Sequence, residues 1–371
     1  MDVELKYAAR GKSACLKNLD DLLEDTNLAG LVELRVALNE MLGSERNYEL
    51  LERRELRPRR VYRLRFGNDR GIRSLVVKRM ELATAQRNQL AITRWLPAIG
   101  LVESAPALIG VAAARNGQCV WHVYEDLGDS TLDGDRADRE RVKTAVELIA
   151  KIHTRFAGHP LLPHCRLYGG DLGINFFTAN VRDAIRNLEL LRPPTIELCS
   201  ENADLRDRLL LRLYSLLDEQ PSRLEALAEF GGPETLLHGD LWRTNIFVLS
   251  TSLGLEARLI DWDHAGIGPV SYDVSTFLVH FPEHDRAWIL DAYRAAVSRA
   301  GWQLPAACDL NFLFETAECA RFVNWIIWPA AALLTDRAGW GYETLAEVER
   351  WFEAMRPVLP EADLERVEVP Q

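Results

Sequence analysis

The chain has 371 residues, 48% of them hydrophobic, and a formal net charge of −11 at pH 7. That is enough apolar material for a large core and enough length for two lobes, while an acidic balance spread along the whole chain argues against general nucleic-acid binding, which needs a basic face. The six cysteines stand far apart without a CxxC pair or a zinc-type His/Cys spacing, and the start of the chain is charged rather than apolar, so the composition reads as a cytoplasmic protein with ordinary thiols.

Residues 1–45 alternate charged and apolar positions at helical spacing, first Leu19, Leu22 and Leu23, then Leu31, Leu34, Val36, Leu38, Met41 and Leu42. Two or three amphipathic helices without a chemical motif follow from that spacing, as an N-terminal extension or a dimer contact. From Tyr48 to Met80 the period changes: ELLERREL, VYRLRF and SLVVKRM read as three strands, the last two joined by the turn Gly67-Asn68-Asp69-Arg70-Gly71. Lys78 lies in the third strand behind Val76 and Val77. An ammonium in an apolar strand needs an anionic partner, unless the strand is at an edge and the head reaches solvent. The first turn of this sheet, 53–60, holds Arg57, Arg59 and Arg60 but no glycine, and the helix expected over 82–96 has Asn88 and Gln89 but no acid.

Residues 120–132 read as a central strand running into a glycine-containing connector. An amphipathic helix follows over 138–156, with Val142, Ala145, Val146, Ile149, Ile152 and His153 on one stripe; His153 reads as a core-lining histidine. The region 159–230 is helical and broken by Pro193, Pro194 and Pro221. Beyond residue 280 come three more helical segments, with an apolar run at 322–334 that Asn324 and Pro329 interrupt and that is too short to span a bilayer. The EVEVPQ end is expected to fray.

The chemistry concentrates in 236–263, LLHGDLWRTNIFVLSTSLGLEARLIDWD. IFVLS and RLIDW read as the two strands of a hairpin with TSLGLEA as its turn, and the fold-back brings Asp261 towards Asn245. Phosphoryl transfer asks little covalent chemistry of a protein: it needs an in-line nucleophile and hard oxygen ligands for Mg²⁺. Asp240 can orient or deprotonate an attacking hydroxyl, and Asn245 with Asp261 can hold the metal. Taken singly, His238 is a structural histidine and Gly239-Asp240 a turn; the ordered set carries the functional reading.

HGDLWRTN followed by LIDWDHAGIGPVSYDVSTF resembles the aminoglycoside phosphotransferase family, the kinase-like small-molecule kinases. The resemblance implies an α+β, bilobal protein-kinase-like fold: an extension at 1–45, a small antiparallel-sheet lobe at 46–126 that binds nucleotide, and a larger, mostly helical lobe at 127–365. It implies an enzyme that uses ATP or GTP with Mg²⁺ to phosphorylate a hydroxyl of a small molecule, first an aminoglycoside or related antibiotic. A kinase of choline, a hexosamine, a methylthiopentose or homoserine is the alternative. In the family's terms Asp240 is the catalytic base, Asn245 and Asp261 are Mg²⁺ ligands, Lys78 pairs with the α- and β-phosphates, Glu125 and Leu127 offer backbone groups to the adenine, and Asp273 is buried and braces the catalytic loop. The later helices would build the acceptor pocket, with Asp263, Glu283, Asp285, Glu315, Glu318, Trp325 and Trp328 as contacts that read equally well as solvated charges or core aromatics. No nucleic-acid or membrane partner is implied. The missing glycine loop and missing acid favour a nucleotide-binding pseudokinase, which the intact base and metal ligands oppose. A protein kinase is disfavoured: only a dozen residues separate Asp261 from Asp273, and no APE closes an activation segment.

Overall fold

The computed structural model describes residues 28–42, 48–69, 71–133 and 138–359. The helical spacing at Leu19, Leu22 and Leu23 and the EVEVPQ end lie outside the described residues. The chain divides into two compact units, Met1–Ser130 and Thr131–Gln371.

In the first unit, helix α1 (Leu31–Leu42) precedes strands β1 (Glu49–Arg57), β2 (Val61–Asn68) and β3 (Gly71–Met80), helix α2 (Leu82–Leu90), and strands β4 (Leu108–Ala113) and β5 (Val120–Glu125). The strands form one antiparallel sheet in the order β1-β2-β3-β5-β4. All three strands expected between 48 and 80 are present, and β2 and β3 stay paired out to Asn68↔Gly71. Side-chain alternation assigns the faces. Tyr62, Leu64 and Phe66 of β2, Leu75 and Val77 of β3, and Trp121 and Val123 of β5 join one core, to which α1 adds Leu31, Leu34, Leu38 and Leu42. Each such burial contributes about 1.5–3 kcal/mol. Val36, two positions on from Leu34 and so on the far side of the helix, turns outward and is 50% exposed.

Lys78 belongs to the opposite face, with Met80, which packs against Ala85 of α2 and Val120 of β5. Because β3 lies between β2 and β5, Lys78 is not an edge-strand lysine. The helix expected over 82–96 runs as α-helix to Leu90, widens into a π turn at Ala91–Trp95 and closes at Ala98; the wider turn buries Ala91, Ile92 and Trp95 together.

In the second unit, α3 (Arg139–Phe156) is capped by Asp138, whose carboxylate accepts from the Arg141 N–H at 2.8 Å, a cap of about 1 kcal/mol. Its stripe from Val142 to His153 is buried as the spacing predicts. The region 159–230 folds as α4 (Leu162–Gly169), α5 (Ile174–Leu190), α6 (Ser200–Asp218) and α7 (Gln220–Phe230). Four short strands follow, β6 (Thr235–Leu237), β7 (Ile246–Thr251), β8 (Gly254–Leu259) and β9 (Gly266–Gly268), then helices α8 (Ser271–Val279), α9 (Glu283–Ser298), α10 (Ala307–Asp336) and α11 (Trp340–Ala354). The 30-residue α10 organises the unit, burying Cys319, Val323, Ile326, Ala330 and Leu333 in a core shared with α5, α6 and α11. One face of the apolar run at 322–334 is thus core while Trp325 and Trp328 on it are exposed, and no helix among the described residues is long and apolar enough to cross a membrane.

The β7–β8 hairpin is tighter than its sequence indicates. Pairing runs from Ile246↔Leu259 to Thr251↔Gly254, so the turn is only Ser252-Leu253 and most of the TSLGLEA stretch is strand. The Thr251 side chain makes this possible: its Oγ1 donates to the Gly254 carbonyl at 3.0 Å and accepts from the Leu253 N–H at 3.2 Å.

Candidate active site

Strands β6 and β9 pair antiparallel through Leu236↔Ile267, and His238-Gly239-Asp240 leaves the end of β6. Gly239 has φ +81°, and a Cβ there would stand 2.0 Å from the His264 carbonyl oxygen; a side chain would meet both the backbone conformation and the neighbouring chain. Gly239→Ala is expected to lose at least about 2 kcal/mol of stability in chemical denaturation. A variant as stable as the parent would show that the close approach is not needed.

The loop is braced from beneath. Asp273, in the first turn of α8, is buried and accepts from the His238 N–H at 2.7 Å and the Gly239 N–H at 2.9 Å, with His153 Nε2 at 3.4 Å. Burial opposes its ionisation, but the His153 hydrogen bond, the electrostatic field of the His153 and His238 rings and the Gly239 N–H outweigh burial and hold the carboxyl below the usual carboxylate range. Tyr293, whose hydroxyl lies 2.8 Å from His153 Nδ1, is pushed well above its usual pKa by burial and by the Asp273 charge, so it keeps its proton and donates to the ring. His153 is the core-lining histidine its helical stripe indicated, and Asp273 the buried brace that the resemblance implied.

The two halves of the site meet at Ile260. His238 Nε2 donates to the Ile260 carbonyl at 2.8 Å, and the Ile260 N–H donates to the Asn245 carbonyl at 2.9 Å. His238 Nδ1 lies 3.4 Å from the Asp240 N–H, which assigns the Nε2–H tautomer. The fold-back therefore brings the residue before Asp261 onto Asn245. Asp261 itself is left-handed, φ 67° and ψ 53°, at a cost of about 1–2 kcal/mol for a residue with a Cβ. What holds it is Trp262, buried, with Nε1 donating to the Leu259 carbonyl at 3.2 Å and its ring 4.7 Å from that of His238.

Asn245 closes the set. Its Nδ2 donates to the Asp240 carbonyl at 2.9 Å and to Asp240 Oδ2 at 3.1 Å. Asn245 is buried, and its Oδ1 has no hydrogen-bond partner among the described residues. A buried polar atom left unpaired costs about 1–3 kcal/mol; a cation would relieve that. Asn245 Oδ1 and the Asp261 carboxylate are both hard oxygen donors, the chemistry that suits Mg²⁺. Among the described residues no group of three or more His, Cys, Asp or Glu could hold a metal, and a two-donor site takes Mg²⁺ together with phosphate oxygens and water.

Several neighbours left no trace in the sequence pattern. Ile267 donates to the Gly170 carbonyl at 3.0 Å and accepts from the Leu172 N–H at 2.7 Å, so residues 170–172 run parallel to β9 through a single bridge at Asp171. Arg243 donates to Asp133 at 2.9 Å and to the His280 carbonyl at 3.1 Å. Trp242, two residues from Asp240, rests on His280 with ring centroids 4.2 Å apart and is still 44% exposed. Of the acceptor-contact candidates, Glu315 is paired to Arg223 and Glu318 to Arg321, each at 2.6 Å.

Lys78, Glu125 and Leu127 lie in the first unit. Lys78 sits across from His122 in the β3–β5 register, and Leu75 across from Glu125. The Glu125 N–H donates to the Ala107 carbonyl at 3.1 Å, which confines any contact of Glu125 with a base to its carbonyl. The connector beyond β5 is anchored by buried Arg63: its guanidinium pairs with Asp126 at 2.9 Å and Asp129 at 2.8 Å and donates to the Gly128 carbonyl at 2.7 Å. The expected carboxylate partner of Lys78 is not on α2; Asn88 is there, buried. The glycine-free turn closes through Arg60 N–H to Arg57 carbonyl at 3.1 Å, with Arg59 left-handed at φ 54°.

Comparison with solved structures places this fold among small-molecule kinases. Spectinomycin phosphotransferase bound to ADP and spectinomycin is 12% identical, with 86% of this chain and 93% of that one aligned at a TM-score of 0.52. The ethanolamine kinase of Plasmodium vivax is also 12% identical, with 93% and 96% aligned at 0.58, and an aminoglycoside 2'-phosphotransferase in complex with GDP is 15% identical, with 88% and 99% aligned at 0.54. No curated protein matches by sequence. The model of one family, the phosphotransferase enzyme family APH, matches residues 56–308. That span runs from the strands that carry Lys78 and Glu125 through the braced loop to the first turn of α10, so the chain belongs to the APH phosphotransferase family and is a small-molecule phosphotransferase that acts on a hydroxyl group.

Proposed function

We propose that this protein transfers the γ-phosphate of ATP or GTP, with Mg²⁺, to a hydroxyl of a small molecule, an aminoglycoside or related antibiotic being the first candidate. The observation that carries the reading is Asn245, whose amide N–H groups are spent on Asp240 while its side-chain carbonyl oxygen stays buried and unpaired, and whose backbone carbonyl holds Ile260, the residue before Asp261. Asp240 orients the acceptor hydroxyl and takes its proton as the new O–P bond forms and the bond to the β-phosphate breaks. Asn245 and Asp261 hold Mg²⁺, which neutralises charge on the phosphates. Lys78 draws in the α- and β-phosphates, and the Glu125 carbonyl with the Leu127 N–H takes the base. Most of the acceleration then comes from positioning and electrostatics rather than covalent chemistry. The nucleotides bound in similar structures, ADP and GDP, support a nucleotide co-substrate. Five free cysteines among the described residues agree with a reducing, cytoplasmic setting.

A second reading, a kinase of a small metabolite such as choline, a hexosamine, a methylthiopentose or homoserine, is favoured by the likeness to an ethanolamine kinase. Trp242 serves either one, since an exposed indole beside the base can stack on a sugar ring or face an ammonium. The test is transfer from Mg²⁺-ATP and Mg²⁺-GTP to a panel of aminoglycosides, spectinomycin, choline, ethanolamine and sugars, read by mass spectrometry, with Asp261→Ala in parallel. A gain of one phosphate that the variant does not produce is the expected result; wild-type turnover in Asp261→Ala would overturn the metal assignment.

A further inference from the structure

The turn between β1 and β2, Arg57-Pro58-Arg59-Arg60, sets three arginines close together in a chain whose net charge is −11. Arg57 stands across from Val61, and Val61 across from Lys78, so the three form one row over β1, β2 and β3. Residues directly opposite in an antiparallel pair project from the same face. Tyr62 and Val77 face the core, so Val61, Lys78 and with them Arg57 belong to the other face. Two strand spacings, about 10 Å, separate Arg57 from Lys78 along that row, a gap that two long side chains can close around one anion. The turn also lies at the end of the sheet that a nucleotide would reach last. Glu125 is across from Leu75, about 10 Å back along β3 from Lys78, while the Arg79 N–H donates to the Arg60 carbonyl at 2.8 Å. A nucleotide with its base at Glu125 and its α- and β-phosphates at Lys78 therefore extends towards this turn.

The backbone of the turn has nothing to offer such an anion. Glycine-rich phosphate loops present backbone N–H groups, but Pro58 has none, the Arg59 N–H donates to the Glu55 carboxylate, and the Arg60 N–H donates to the Arg57 carbonyl at 3.1 Å. The side chains can do what the backbone cannot. Arg63 and Arg65 of β2 are paired with Asp126 and Glu52, whereas no carboxylate among the described residues pairs with the guanidinium of Arg57, Arg59 or Arg60, all three exposed. We propose that this turn is a side-chain clamp for the terminal phosphate of the nucleotide, with the Arg57 guanidinium as its direct ligand and Arg59 and Arg60 adding positive field. The proposal rests on the reading of Lys78 as the phosphate lysine. A guanidinium presents a planar fork of donors that matches two oxygens of one phosphate, and it stays charged at any working pH. Its contribution is made to a triphosphate and not to a nucleoside, so the clamp discriminates by phosphate number without touching the base.

The test is calorimetry on the full chain for the parent, Arg57→Gln, Arg57→Lys and Lys78→Met. The probes are Mg²⁺ with a non-hydrolysable analogue of ATP or of GTP, whichever the parent binds more tightly, and the matching nucleoside. Arg57→Gln is expected to weaken the triphosphate analogue by roughly tenfold and to leave the nucleoside within about twofold. Arg57→Lys, which keeps the charge but not the fork, should fall between parent and Arg57→Gln. Unchanged triphosphate affinity in Arg57→Gln would overturn the proposal, and a loss in Lys78→Met beside it would leave the nucleotide reading standing. Equal losses for the triphosphate and the nucleoside would make Arg57 a support of the sheet and overturn the proposal as well. A parent that binds neither probe would remove the nucleotide reading itself, and the clamp with it.

Discussion

Asp240→Asn is expected to lower kcat for phosphate transfer by about 10² to 10⁴, the usual worth of a positioned general base, while Mg²⁺-nucleotide affinity stays within about twofold. The substitution isolates charge from shape. Asn245 Nδ2 donates to the Asp240 carbonyl and to one of its carboxylate oxygens, and an Asn side chain can turn its own oxygen to the same donor. The Trp242 N–H also bonds the residue 240 carbonyl at 2.9 Å, a contact the side chain does not touch. Loop geometry should therefore survive, and what disappears is the group that accepts the hydroxyl proton. Steady-state kinetics with the acceptor found by the panel, beside calorimetry of nucleotide binding, measures both halves. A kcat within about threefold of the parent would mean that proton acceptance is not part of the rate-limiting step, or belongs to another residue.

The local part of this site was legible and the long-range part was not, for a physical reason. Asp240, Asn245 and Asp261 are linked by a loop and one hairpin, so spacing alone places them near one another. Asp273 sits within the same stretch, its reach set by the pairing of β6 with β9 and the start of α8. Even here the turn was misplaced, because TSLGLEA has turn composition and the two hydrogen bonds of Thr251 that shorten it are invisible as a pattern. The contacts that no periodicity carries join distant residues. Arg63 meets Asp126 and Asp129 across more than sixty positions, and residues 170–172 pair with Ile267 across nearly a hundred. Lys78 shows the boundary most clearly. Its strand was readable, and so was the missing acid on α2, yet the residue the sheet sets across from it, His122, stands 44 residues away in a strand whose register only the fold defines.

Asp273→Asn should be the most damaging polar substitution in the second unit, at about 3–5 kcal/mol. The carboxylate accepts the backbone N–H groups of His238 and Gly239 with its two oxygens and takes the His153 contact as well. A carboxamide has one oxygen for these donors, and its NH₂ must face the other N–H, which leaves at least one buried donor unpaired at about 1–3 kcal/mol. It also removes the negative charge that the buried His153 ring faces. Stability should separate parent from variant in a pH-dependent way. Asp273 is held below the usual carboxylate range in the folded protein, so it binds a proton more readily when unfolded, where its pKa is about 4. Its contribution is then fully present above about pH 4 and is lost as pH falls through the lower folded value. The gap between parent and Asp273→Asn in chemical denaturation should be largest near neutrality and shrink in acid below about pH 4. A gap under about 1 kcal/mol at pH 7, or one that does not change in acid, would show that the loop is held without this carboxylate. Because Asp240 follows Gly239 directly, the same variant should lose turnover even where it remains folded: a loop freed at His238 and Gly239 no longer fixes its base against the hydroxyl it must meet.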